Sequence, residues 1–224
     1  MTDNLIKRIF TSLILSIILL TCIFLGKLSW ITLVITASII SYLEFNKLVK
    51  IIWNKNKLLI YLINLISIFY LFFFSYLAYM LYIAGLNLII FILLICILSD
   101  IGGYIIGKSI RGKKLTKISP NKTISGSVGS FIFSLIPIIF FLIIFNFTKN
   151  NDFKIDNYIL SIILCLLTSL VSQLGDLFIS YFKRKAKIKD TGSILPGHGG
   201  ILDRIDGMLF ALPVYAFITM FLNL

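Results

Sequence analysis

Apolar residues run through this chain in long blocks, broken by short polar interruptions that carry most of its Lys and Arg. A helix needs ~20 apolar residues to cross a bilayer. The blocks therefore predict spans near residues 9–26, 28–46, 58–80, 86–107, 127–147, 157–180 and 207–223. The piece 58–107 admits two spans, or two plus a short re-entrant segment around Tyr76–Gly85. The expected fold is all-α: a polytopic transmembrane helical bundle of about seven spans. No polar stretch is long enough to fold as a soluble domain.

Composition agrees, with 59% hydrophobic residues and few charges. A net charge of +12 would suggest nucleic acid in a soluble protein. Here the basic residues fall between spans, where orientation and anionic headgroups account for them, so no nucleic-acid partner is expected. The clusters Lys7-Arg8, Lys47–Lys57, Lys108–Lys122 and Lys183–Lys189 share one side if the N-terminus is cytoplasmic and there are seven spans. The opposite loops, around Lys27, Gly85–Asn87 and Asn150–Asp156, carry little net charge, which puts the C-terminus outside. The first span lacks a small-residue cleavage motif and reads as a retained anchor. Cys22, Cys96 and Cys165 sit in apolar runs without metal or redox spacing, as buried thiols do. The abundance of Ile, Lys, Asn and Phe points to an AT-rich bacterial genome, hence a multi-pass protein of the bacterial inner membrane.

Polar chemistry is unevenly spread. Residues 1–95 read as N-terminal scaffold helices, with Glu44 near a cytoplasmic helix end, and 96–224 as the region that carries chemistry. Two mixtures of Gly, Ser, Asp, Lys and Pro, at 96–130 and 168–208, begin inside spans and run into cytoplasmic loops. Irregular backbone at membrane depth must be buried in protein or line a wet cavity. A cytoplasm-facing polar cavity is the expected result.

Thr168, Ser172, Asp176, Ser180 and Lys183 recur at helical spacing and stack along one face. Ser and Thr alone would make a polar seam between helices. Asp176 is different, because an intramembrane carboxylate is costly and marks a functional site by default. Asp203 and Asp206 lie three apart, so they share a face if the last helix starts there, where capping would also use them. The three carboxylates are hard oxygen donors suited to Mg²⁺, Mn²⁺ or Ca²⁺ and not to zinc. Pro196-Gly197-His198-Gly199-Gly200 cannot be regular helix; it is either a plain tight turn or backbone able to approach phosphate. The run Lys183-Arg184-Lys185 with Lys187 and Lys189 serves equally as membrane anchor or phosphate holder. Asp100 closes an apolar span, and Gly103 and Gly107 permit close helix contact. Gly102–Ser109 formally fits a phosphate-binding P-loop, but the preceding strand and nucleotide-binding domain are missing.

The residues then resemble a known family. Ser180-x-Phe182-Lys183-Arg184, Lys189-Asp190-x-Gly192 and Leu195-Pro196-x-His198-Gly199-Gly200-Ile201-x-Asp203-Arg204-Ile205-Asp206 are similar to the signature of phosphatidate cytidylyltransferases, or CDP-diacylglycerol synthases. Asp100-x-Gly102-Gly103-Tyr104-x-x-Gly107-Lys108 and Ser119-Pro120-x-Lys122-Thr123-x-x-Gly126 resemble the family's other cytoplasmic motif. The chain departs in having Ser125 where the family usually has Glu, and in being shorter than most members, as if one or two peripheral spans were absent.

The resemblance implies transfer of CMP from CTP to phosphatidate, giving CDP-diacylglycerol and pyrophosphate. It implies Mg²⁺ held by Asp176, Asp203 and Asp206, with room for a second cation. Lys183, Arg184, Lys189, His198 and the Gly199-Gly200 backbone would contact phosphates; Ser180, Lys122, Asp100 and Arg204 are further substrate contacts. The partners implied are CTP, phosphatidate and bilayer lipids, with a homodimer left open. The residues leave two other readings open: a CTP-dependent lipid kinase or related lipid nucleotidyltransferase, and a membrane ion transporter.

Overall fold

The computed structural model describes residues 2–116, 118–148 and 158–221, with side chains from residue 7 and not those of 144–148. The expected outer loop Asn150–Asp156 therefore lies outside the described residues. Among the described residues eight α-helices follow in order: α1 Thr2–Phe24, α2 Lys27–Ile52, α3 Lys57–Ala84, α4 Leu86–Ile110, α5 Ile124–Phe133, α6 Ile136–Thr148, α7 Tyr158–Lys185 and α8 Leu202–Phe221. Among the described residues, seven stretches are long and apolar enough to cross a membrane, α5 and α6 supplying one between them. The chain is thus an all-α polytopic membrane protein, as its hydropathy predicts.

The helix boundaries follow local chemistry. Asn56 starts α3 by accepting the Leu59 amide at 3.1 Å, and Thr123 starts α5 by accepting the Gly126 amide at 3.0 Å. α3 continues unbroken through Tyr76 to Ala84, so that stretch is ordinary helix and not a re-entrant segment. α5 and α6 are separate because Pro137, in the first turn of α6, has no amide to donate back across the joint to the end of α5.

By packing, the chain forms two compact units. The first holds Met1–Leu86 and Phe178–Asp206; the second holds Asn87–Leu177 and Gly207–Leu224. In the first, Trp30 Nε1 donates to the Ala78 carbonyl at 3.0 Å, and Tyr82 donates to that of Ile23 at 2.9 Å. Ser38 and Ser75 share a hydrogen bond at 3.0 Å between α2 and α3. Near the end of α7, Phe182 packs on Phe45 and Trp53, and the Lys185 ammonium lies 4.5 Å from the Trp53 ring centre. In the second unit, Phe91 packs against Phe141 and Tyr215, and Ser99 bonds Ser169 at 2.8 Å. α4 and α5 cross closely through glycines, where a Cβ on Gly129 would lie 2.7 Å from the Gly102 carbonyl. The P-loop lookalike Gly102–Ser109 lies inside α4, whose helix already uses its amides.

Candidate active site

Each unit holds one polar constellation. In the second unit, Arg111 and Gly112 turn the chain out of α4 with φ of 58° and 115°. Paired backbone bonds then fold the following loop back, Leu115 N to Lys122 O at 2.8 Å and Ile124 N to Lys113 O at 3.0 Å. This return brings Lys122 to Asp176 of α7, where the two form an ion pair with side chains 29% and 32% exposed. The pair lines a cavity of about 340 Å³ with Asp100, Ser119, Asn121, Ser127 and Gln173. Asp100, Lys122 and Asp176, all candidates from sequence, thus share one cavity wall. Ser125 donates to the Arg111 carbonyl, tying the start of α5 to the turn after α4.

In the first unit, α7 ends in a Schellman arrangement: Ile188 N bonds Lys183 O and Lys187 N bonds Arg184 O, both at 3.0 Å. Lys187 takes the left-handed position with φ 58°, where glycine is usual. Further on, His198 N bonds Leu195 O at 2.9 Å around Pro196 and Gly197, whose φ is 77°. Pro at the second position and a positive-φ glycine at the third are the requirements of a type II turn. His198 leaves this turn beside α1. Its Nδ1 meets the Thr11 hydroxyl, while Arg8 Nε donates to the Gly197 carbonyl at 2.9 Å. Partial burial, then the guanidinium groups of Arg204 and Arg8, hold His198 below its ordinary pKa. Arg8, Lys189, His198 and Arg204 line a cavity of about 490 Å³ together with Asp190, so basic groups outnumber the one carboxylate there.

Asp203, in the first turn of α8, is the hub of this unit. Its Oδ1 accepts from Lys183 Nζ at 2.7 Å, with the side chains 12% and 8% exposed. Its Oδ2 accepts the Thr191 amide at 2.8 Å and the Gly200 amide at 3.0 Å, and the Thr191 hydroxyl oxygen lies 2.9 Å away. Ser180 is buried, Asp206 half-buried, and Arg184 exposed on the last turn of α7. Lys183, Gly200 and Asp203 are brought into direct contact; Asp176 belongs to the other unit.

Among the described residues, no three His, Cys, Asp or Glu side chains stand together as a ready-made metal cluster. The donor chemistry nonetheless suits a hard cation. Asp176 presents a third-exposed carboxylate at a cavity wall, with an ammonium beside it where a cation would sit. Mg²⁺ commonly takes only one or two carboxylates and completes its shell with water and substrate phosphates.

Residues 59–222, more than half of the chain, match the cytidylyltransferase family. The chain belongs to that family. Among its relatives in the cytidylyltransferase family, a Staphylococcus saprophyticus protein named phosphatidate cytidylyltransferase is 47% identical over 132 residues, 58% of this chain and 48% of the relative. A Rickettsia typhi protein of the same name is 42% identical over 140 residues, 61% of this chain and 60% of the relative. One from Staphylococcus aureus strain COL is 44% identical over 131 residues, 58% of this chain and 48% of the relative. The chain spans about half the length of the curated relatives it matches.

Sequence reasoning missed two contributions from the N-terminal helices of this cytidylyltransferase-family chain. Arg8 and Thr11 of α1 hold the His198 turn. Glu44 of α2, 1% exposed, accepts the Leu202 amide at 2.8 Å, the Thr191 hydroxyl at 3.0 Å and the Ile201 amide at 3.2 Å. A signal for Glu44 existed: it is the sole carboxylate between Asp3 and Asp100, inside a membrane-length helix.

Proposed function

We propose that the chain is a phosphatidate cytidylyltransferase, which transfers CMP from CTP to phosphatidate and releases pyrophosphate. One observation carries the reading: the signature's separated polar residues, Lys183, Gly200 and Asp203, lie in direct hydrogen-bond contact. A signature that were an accident of composition would have no reason to converge. The names of the relatives support the same substrate pair.

The chemistry needs no covalent enzyme intermediate. A phosphate oxygen of phosphatidate attacks the α-phosphorus of CTP, forming the new P–O bond as the bond to the β-phosphate breaks. Lys189, His198 and Arg204 in the largely basic pocket, joined by Arg184 and the Gly199 backbone, bind and orient phosphate oxygens, while the Gly200 amide is spent on Asp203. Lys183 holds Asp203, and Asp100, Lys122 and Ser180 complete the substrate contacts. Mg²⁺, with a second cation allowed, would supply charge neutralisation for the triphosphate. Asp176 in one unit and Asp206 in the other offer carboxylates for it, whereas the Asp203 oxygens are already taken by Lys183, Thr191 and Gly200. The basic clusters orient the chain in a bacterial cytoplasmic membrane with these residues on the inner side. There CTP arrives from water while the lipid's acyl chains stay in the bilayer.

The test is a membrane assay with phosphatidate, Mg²⁺ and CTP labelled at either the α- or the γ-phosphorus. The expected result is a lipid product labelled only from α-labelled CTP, and lost with EDTA. Lipid labelled only from γ-labelled CTP would instead identify a kinase, and no labelled lipid from active membranes would remove the proposal.

A further inference from the structure

The carboxylate of Glu44 reaches from α2 to the opposite end of the same unit's polar loop. Three donors converge on it: the amides of Ile201 and Leu202 and the hydroxyl of Thr191. Those two amides lie at the start of α8, where helix geometry leaves backbone donors without intrahelical partners. Here a residue 157 positions away in sequence satisfies the first of them. The loop is also moulded around this carboxylate. A Cβ on Gly192 or Gly200 would collide with its oxygens, so a larger residue at either place must displace the carboxylate.

Thr191 connects Glu44 to the hub of the site. Its hydroxyl oxygen lies 3.0 Å from Glu44 Oε2 and 2.9 Å from Asp203 Oδ2. A hydroxyl carries one proton and can donate to one of these carboxylates at a time. Asp203 Oδ2 already accepts two fixed amides, whereas Glu44 Oε2 has one. The shared proton therefore couples the two carboxylates: displacing either changes what the other must find. A buried carboxylate with such partners is held rigidly, because losing any one leaves a buried polar group unpaired.

We infer that Glu44 is a positioning residue for the transfer reaction, acting through Thr191 to fix Asp203 and the His198-Gly199-Gly200 turn. Glu44 touches no substrate. It sets the register of the loop that does, so α2 belongs to the machinery and is more than scaffold. Glutamine cannot replace it, since the amide nitrogen would present hydrogens to donors on one side. Aspartate is one methylene too short to reach all three.

The inference rests on the cytidylyltransferase reading, and the test separates the two. Purified Glu44→Gln, Thr191→Val and Thr191→Ser, alone and as the Glu44→Gln/Thr191→Val double variant, are assayed for kcat and for KM toward CTP. Amide hydrogen exchange of 190–204 is read on the same samples. Expected are a kcat about 10²-fold lower for Glu44→Gln and for Thr191→Val, with KM little changed. Thr191→Ser keeps most turnover, and the double variant loses no more than the worse single. Exchange at Ile201 and Leu202 quickens in Glu44→Gln while α3 stays protected. A Glu44→Gln protein with near wild-type kcat, with only KM raised, or with losses that multiply with those of Thr191→Val overturns the inference. Unaltered exchange at Ile201 and Leu202 overturns it whatever the reaction proves to be, whereas an inactive wild type with the expected exchange sinks only the proposed function.

Discussion

The Lys183 ammonium lies 2.7 Å from Asp203 Oδ1, and the pair is almost withdrawn from solvent. Two charges taken out of water need one another, and removing one partner strands the other at a cost of about 3–5 kcal/mol. Lys183→Met is therefore expected to lower the thermal midpoint of detergent-solubilised protein sharply. A Lys183→Met/Asp203→Leu double variant should recover part of that stability and none of the turnover. A single Lys183→Met variant as stable as wild type would show that the pair carries no such burden.

Lys122 and Asp176 make the opposite case. Both are about a third exposed, and a pair in that setting contributes roughly 0–1 kcal/mol after solvent screening. Asp176→Asn should melt within a few degrees of wild type while forming no labelled lipid. Parallel melting and α-labelled CTP assays check this, and retained turnover would remove Asp176 from the site.

Gly200 is walled in by the Glu44 carboxylate and the Thr191 hydroxyl. Neither is the loose end of a flexible chain, because both are fixed by several hydrogen bonds. Gly200→Ala is expected to cost about 1–3 kcal/mol through overpacking, read as a lower thermal midpoint, and to reduce turnover further by shifting the Asp203 loop.

His198 gives a pH signature. Its folded-state pKa lies below the ordinary value of 6.5, through burial first and then Arg204 and Arg8. The unfolded chain therefore binds the proton more readily than the folded one. The resulting stabilisation is complete above about pH 6.5 and is lost as pH falls toward the folded value. Thermal midpoints measured from about pH 8 to pH 5 should fall more steeply for wild type than for His198→Asn. Equal slopes would mean that neither burial nor the guanidinium groups shift the proton affinity of His198.

The candidate residues were legible in the sequence because their types are rare. In a chain with nine carboxylates and one histidine, Asp100, Asp176, Asp203 and His198 stand out, and helical spacing put Asp176 and Lys183 on one face. Helix continuity at α3 was less legible, since an apolar run of that length fits one helix or a helix and a half. The break between α5 and α6 was also hidden, although Pro137 marked it.

Glu44 shows where sequence reading stops. Hydropathy assigns each helix separately, from residues that are neighbours along the chain, because crossing a bilayer is a local demand on about twenty consecutive residues. That demand was enough for the seven membrane-length stretches, while the motif near the end of the chain was legible from its own run of polar and Gly residues. Hydrogen bonds from α2 to the start of α8, and from α1 to the His198 turn, join positions more than 150 residues apart. Nothing local encodes such partners: a lone glutamate at a helix end looks the same whether water or a buried loop receives it. Folding resolved the matter by burying Glu44 against three donors, and so tied a helix that reads as scaffold to the loop before α8.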